Sequence, residues 1–189
     1  MTSKRISDPA VLAVTVQQAK AHLRISANDD DDVVQSLLAA AIDFLERDTG
    51  LSLINQTWRF WFDAVPDDKV LLIDRRPAND IVSFIGYDRT GNATSIGAES
   101  YFLNTVTVPA RLRLAADQDW QVAVNGLEVD VRSGFGETGA DVPSSLVQAI
   151  LCLVAHWYEF RGAFDASDQP VSIPDAYKRL IKPWRRMGL

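Results

Sequence analysis

The side chains able to do covalent or metal chemistry are few. The chain has one cysteine, Cys152, and two histidines, His22 and His156. Cys152 and His156 stand four positions apart, the spacing that places two helical residues on one face. A thiolate–imidazole pair would also need an electropositive, accessible setting. Cys152 instead sits in the most apolar stretch of the chain, residues 142–155. A buried structural cysteine is the better reading. Glu159 follows His156 by three positions. That offers an acid–base or metal pair with no third ligand and no nucleophile. A single cysteine also excludes an intramolecular disulfide and a cysteine zinc cluster.

Three further patterns suggest ligands. Gly134, Gly136 and Gly139 spell G-x-G-x-x-G between a predicted strand and a predicted helix. A dinucleotide site needs a second parallel strand after that helix, with an acid about 20 positions on. Here Gly162 and a polar loop follow, so the glycines read as a hinge. Asp29, Asp30, Asp31 and Asp32 invite a calcium reading, but an EF-hand counted from Asp29 needs glycine where Val34 stands and glutamate where Ala40 stands. Acids at a helix N-terminus favour its dipole and cap its free N–H groups, which is the simpler role. Asp88 and Glu99 also have calcium-loop spacing, with Ala93 at the glycine position and strands on both sides, so a hairpin loop fits better. No G-x-S-x-G, H-E-x-x-H or P-loop is present. We therefore assign no catalytic, cofactor-binding or metal residue, and expect a protein that is not an enzyme and carries no cofactor.

The C-terminal segment differs. Residues 175–189 contain Lys178, Arg179, Lys182, Arg185 and Arg186 against one acid, Asp175, a local charge of +4 on a chain of net −6. Tyr177, Trp184 and Met187 lie among them. Arginine, tryptophan and tyrosine dominate interface hot spots. Three roles compete: packing on its own domain, docking into a partner protein, and contact with nucleic acid. Docking is favoured, because an acidic chain of pI near 4.9 argues against nucleic acid as the main ligand.

The elements that would position these residues follow from periodicity. Residues 1–13 lack apolar period and are expected to form a flexible arm. Thr15 and Gln18 form a capping box for a short helix to about Arg24. Val34, Leu37, Leu38, Ala41 and Leu45 mark a strong helix, stopped at Gly50. From about Thr57 the period becomes two, and strands are predicted near 57–63, 70–73, 81–87, 101–103, 111–114, 121–124 and 127–131. Asp141, Val142 and Pro143 start a second long helix with a stripe from Leu146 to Trp157. A last helix starts near Asp175 and is interrupted by Pro183. The expected class is α+β: a helical core, residues 14–52 and 134–172, built from N-terminal and C-terminal helices. An antiparallel β module is inserted at 53–133, and a C-terminal helix and basic tail occupy 173–189. The longest uncharged apolar stretch is too short to span a bilayer, and no signal peptide is read at the start, so no membrane role is expected.

Taken in order, several segments resemble the head–tail connector (adaptor) proteins of long-tailed bacteriophages, prophages and gene transfer agents. They are residues 15–25 (TVQQAKAHLRI) with the aspartates behind them, residues 39–50 (AAAIDFLERDTG), Gln56-Thr57-Trp58, and Asp141-Val142-Pro143 running on to Trp157-Tyr158-Glu159. The resemblance implies a helical core with a β insertion and a structural role. It implies a homo-oligomeric ring, commonly of about twelve copies, under the portal protein of a DNA-filled head. Such a ring extends the DNA channel, meets a tail-side stopper or tail terminator protein, and lets double-stranded DNA pass without specific binding. The place of action would be the neck of a virion or phage-like particle assembled in the bacterial cytoplasm. Connectors of this kind often grip the portal with a C-terminal arm. Tyr177, Lys178, Arg179, Lys182, Trp184, Arg185, Arg186 and Met187 are the corresponding candidates here. The alternative is an accessory protein whose basic tail contacts nucleic acid.

Overall fold

A computed structural model describes residues 1–160 and 173–185. The chain divides into two compact units. One comprises Met1–Ala10 with Asn55–Phe135, and the other Val11–Ile54 with Gly136–Leu189. The class is α+β, with antiparallel strands in the first unit and helices in the second.

The β unit holds two sheets. Strands β1 (Thr2–Ser7), β2 (Gln56–Phe62), β4 (Ala78–Tyr87), β5 (Ala93–Ser95) and β8 (Leu127–Ser133) form a five-stranded sheet in the order β1-β2-β8-β4-β5. Strands β3 (Val70–Ile73), β6 (Tyr101–Asn104) and β7 (Ala110–Leu114) form a three-stranded sheet in the order β3-β7-β6. Alternation decides which side chains go inward. Phe60, Phe84, Val129 and Val131 from the larger sheet meet Leu71, Ile73, Leu112 and Leu114 from the smaller in one core, with Trp120. The Trp120 indole N–H donates to the Ala115 carbonyl at 2.9 Å, so burying it leaves no unmet donor.

Three expectations are corrected in this unit. In place of a flexible arm over residues 1–13, Thr2–Ser7 pairs antiparallel with β2, Thr2 opposite Trp61 and Arg5 opposite Trp58. This is an edge strand with mostly exposed side chains, so it shows no apolar period, and its ladder is made by the main chain. The segment expected as a strand near 121–124 is a 3-10 turn, Trp120–Ala123, because the Asp119 carboxylate accepts the Gln121 N–H and curls the chain. Ala93–Ser95, read as loop, pairs with β4 as a short exposed strand.

The helical unit contains α1 (Val16–Leu23), α2 (Asp31–Thr49), α3 (Ser144–Phe160) and α4 (Asp175–Ile181) among the described residues. The capping box at α1 is formed: Thr15 Oγ1 accepts the Gln18 N–H and Gln18 Oε1 accepts the Thr15 N–H. Helix α2 ends on Gly50 at φ 70°, a left-handed conformation that favours glycine. Val34, Leu38, Ala41 and Leu45 of α2 and Leu146, Ala149, Ile150, Leu153 and Val154 of α3 are all buried. Each fully buried valine or leucine stabilises the unit by roughly 1.5–3 kcal/mol, which makes these stripes its main support.

Candidate interaction surfaces

The C-terminal basic segment is positioned by α4. Tyr177 and Ile181 stand one helical turn apart and both are fully buried. The Tyr177 ring packs against Phe44 of α2 with centroids 5.7 Å apart, and its hydroxyl donates to Asp48 Oδ2 at 3.0 Å. Burial, followed by the hydrogen bond to Asp48, pushes the Tyr177 hydroxyl well above its ordinary pKa. Arg185 returns to the same carboxylate, its Nη2 lying 2.9 Å from both oxygens of Asp48. The Trp184 indole N–H donates to Ser145 Oγ of α3 at 3.2 Å. Tyr177, Trp184 and Arg185 therefore each make a contact within their own unit. Lys178 pairs with Asp175 at 3.1 Å and is exposed. Arg179 and Lys182 are exposed as well. Arg179 borders an open cleft of about 550 Å³ with Gln148, Cys152 and Leu180. Arg186 and Met187 lie outside the described residues.

The chemical candidates separate. Cys152 is half-exposed at that cleft, which corrects the expectation of a buried cysteine, and the Gln148 amide donates to its sulfur at 3.7 Å. The stripe leaves position 152 on the flank of α3, so a long apolar window there did not imply burial. His22 is exposed on α1. The His156 ring lies 4.7 Å from the Phe160 ring, and its buried Nε2 has no hydrogen-bond partner. No group of three or more His, Cys, Asp or Glu among the described residues could hold a metal ion.

Two of the four aspartates, Asp30 and Asp31, are tied into the helical unit. Lys20 Nζ bridges Asn28 Oδ1 and Asp31, and the Tyr158 hydroxyl of α3 donates to Asp30. Asp30 occupies the N-cap position but makes no side-chain cap bond, which corrects the simple capping role. The glycine motif serves close approach. Gly134 has φ 154°, and a Cβ there would lie 2.5 Å from the backbone N of Asn55. A Cβ on Gly139 would lie 2.6 Å from the Ala13 carbonyl oxygen. The loop also holds its own anion. Asp141 packs against Gly136 and accepts from the Thr138 N–H at 2.9 Å and hydroxyl at 3.0 Å, which lowers its pKa. At Asp88 the carboxylate closes a hairpin turn, and hydrogen bonds from Thr90 and Asn92 hold it well below the usual carboxylate range.

Two sheet faces point outward in the β unit, and they differ. On the larger sheet, Arg59 clamps Asp130 through Nε at 2.7 Å and Nη2 at 2.9 Å, and reaches Glu128 at 3.0 Å. The Trp61 indole and the Tyr87 hydroxyl also donate to Glu128. The hydrogen bond to Asp130 raises the Arg59 pKa, and the single guanidinium serves both carboxylates. On the smaller sheet, Leu72, Phe102, Arg111 and Arg113 are exposed. At the β6–β7 turn Val106 and Val108 are 90% and 63% exposed. Sequence reasoning passed over these valines, because two valines beside a proline carry no period. Their signal was an apolar pair in a turn, where polar residues are the rule.

Residues 13–101 match the phage gp6-like head-tail connector protein family. Solved structures extend the likeness to the whole fold. A chain in the neck of an empty gene transfer agent particle, computed with C6 symmetry, is 24% identical with a TM-score of 0.82, covering 100% of this chain and 97% of its own. A chain in the virion of the native gene transfer agent particle is 24% identical with a TM-score of 0.83 and the same coverage. A chain in the neck of the native particle, computed with C12 symmetry, is 23% identical with a TM-score of 0.81. No curated protein matches the sequence. The connector match spans α1, α2 and the strands up to Tyr101 at the start of β6, so it crosses both units. No helix among the described residues is long and apolar enough to cross a membrane.

Proposed function

We propose that the chain is a structural head–tail connector of a phage-like particle. It forms a closed ring beneath the portal protein, extends the DNA channel, and presents its far side to a stopper or tail terminator protein. The observation that carries this reading is the agreement of two separate likenesses. One is the connector-family match over residues 13–101, and the other is the full-length fold shared with chains of gene transfer agent necks. The chemistry is consistent with a scaffold. The glycine loop is filled by Asp141, Asp30 and Asp31 at the start of α2 are bound by Tyr158 and Lys20, and the Cys152 sulfur accepts from the neutral Gln148 amide.

The portal contact falls to the exposed side of α4, Arg179 and Lys182, with Lys178, Arg186 and Met187 beside them in sequence. Tyr177, Trp184 and Arg185 hold that helix on its unit. An acidic chain lining the channel would repel phosphates and let DNA slide. Removing this protein from the producing cell should leave DNA-filled heads that fail to join tails, seen directly by negative-stain microscopy. Normal tailed particles would overturn the proposal. At finer grain, Arg179→Glu with Lys182→Glu should abolish co-purification with the portal protein while the subunit stays folded. Undiminished co-purification would remove α4 from that contact.

A further inference from the structure

The two sheets of the β unit treat their edges differently. A free strand edge offers unpaired N–H and C=O groups, and proteins guard it with charges, bulges or shortness. In the larger sheet, β1 carries Lys4 and Arg5 with a register shift after Arg5, and β5 is only three residues long. In the smaller sheet, the edge strands β3 (VLLI) and β6 (YFLN) carry no charge and no proline. Each pairs with β7 in unbroken register. An apolar cleft of about 470 Å³ opens beside β3, lined by Met1, Phe62, Pro66, Val70 and Leu72.

The main chain fixes what these edges offer. The Lys69 carbonyl accepts the Leu114 N–H, and the Ser100 carbonyl accepts the Ala115 N–H, both at 2.8 Å. Antiparallel ladders alternate, so Leu71 and Ile73 bond toward β7 while Leu72 turns its N–H and C=O outward. On β6, Phe102 and Asn104 bond toward β7, while the Leu103 groups and the Tyr101 carbonyl turn outward. Among the described residues, no main-chain hydrogen bond reaches these outward groups. The Val70 N–H is taken by the Asp68 carboxylate at 3.1 Å, which ends the open stretch of β3 there.

The two open edges complement each other. Strands β3 and β6 are both antiparallel to β7, so they run the same way on opposite sides of it. Consider a parallel ladder that sets Leu72 opposite Phe102 of another copy. The Leu72 N–H then donates to the Tyr101 carbonyl, and the Leu72 carbonyl accepts the Leu103 N–H. The same register aligns the side chains. Leu72 and Phe102, 45% and 66% exposed, become neighbours on the outer face. Leu71 and Ile73 come beside Tyr101 and Leu103 on the core side. A rotation about an axis along the strands repeats this contact from copy to copy, as a head-to-tail ring requires. An antiparallel β6–β6 pair would leave β3 open.

We infer that β6 of one copy adds to β3 of the next as a parallel strand, continuing the small sheet from subunit to subunit. This rests on the ring reading and names the contact that closes the ring. A chain carrying Leu72→Cys, Phe102→Cys and Cys152→Ser tests it. Within one chain these cysteines lie two strand spacings apart, about 9.6 Å, too far for a disulfide. Oxidising the assembled protein should link each copy to the next and give a ladder of covalent multimers on a denaturing gel. Either new cysteine alone, with Cys152→Ser, should leave monomers. Covalent dimers from Phe102→Cys alone would show a β6–β6 pair and overturn the inference. Leu72→Pro removes the outward N–H and keeps the bonds to β7. It should raise the concentration needed for assembly, read by native mass spectrometry, at least about tenfold over Leu72→Ala. Equal effects of the two would overturn the main-chain pairing. If the wild-type chain assembles and the double-cysteine chain gives no ladder, the strand contact is wrong and the ring stands. If the wild-type chain stays monomeric at every concentration, the ring reading fails and the contact with it.

Discussion

Two basic segments of this chain have similar composition and opposite fates. Helix α4 and the turn after it carry lysines, arginines and aromatic residues, and the helix turns Tyr177 and Ile181 completely inward. The β6–β7 hairpin carries two arginines, Phe102 and two valines, and leaves all five exposed. The difference lies in what each finds within its own unit. Tyr177 of α4 meets Phe44 and Asp48, and Trp184 after the helix meets Ser145, which supply a ring contact, a carboxylate and a hydroxyl. The hairpin's outer face finds no ring contact, carboxylate or hydroxyl partner for these side chains among the described residues. Composition can mark both segments as interface-like, but the local presence of a complementary acceptor decides which of them is used internally.

The contrast can be broken most forcefully at Tyr177. Tyr177→Ala should destabilise the helical unit by about 3–5 kcal/mol in urea denaturation, as expected for removing a fully buried aromatic ring. A loss below about 1 kcal/mol would mean that α4 is not anchored there. Tyr177→Phe keeps the ring and removes one hydrogen bond, so it should cost about 0.5–1.5 kcal/mol. The pH dependence follows from the same group. Its folded pKa lies above its ordinary value of 10, so the stability it contributes is present below pH 10 and lost as pH rises beyond. The wild-type chain should therefore lose stability more steeply above pH 10 than Tyr177→Phe, and parallel profiles would contradict the buried hydroxyl. Arg185→Ala should cost only about 0.2–1 kcal/mol, less at high salt, because its side chain is 44% exposed. Smallest of all, Val106→Asp with Val108→Asp should change monomer stability by less than about 0.5 kcal/mol, as surface substitutions do. A large thermal shift in that variant would show that the turn is structural.

Much of the fold was legible because it rests on period and punctuation. The stripe of α2, the Thr15–Gln18 box, the stop at Gly50 and the strand at Val70–Ile73 all follow from local rules. What escaped depends on distant partners. Strand β1 is a polar edge that gains order only from β2, 50 or more positions away in sequence. Tyr177 stands among the portal-binding candidates with its packing partner unseen, because its acceptor, Asp48, lies 129 positions away. Cys152 was read as buried because the apolar window around it is long, whereas the buried stripe runs through Leu146, Ala149, Ile150, Leu153 and Val154 and leaves position 152 at the margin. The exposed turn at Val106 and Val108 had no periodic signal at all. Candidate chemistry was easier to dismiss than interfaces were to place, since a missing ligand is visible in sequence and a missing neighbour is not.

The most direct measurement is a reconstruction of the particle neck at side-chain resolution. A connector role predicts this chain in a closed ring against the portal, with Tyr177 still enclosed beside Phe44 and Asp48. A neck that lacks the chain, or a ring in which α4 has swung out to release Tyr177, would contradict it.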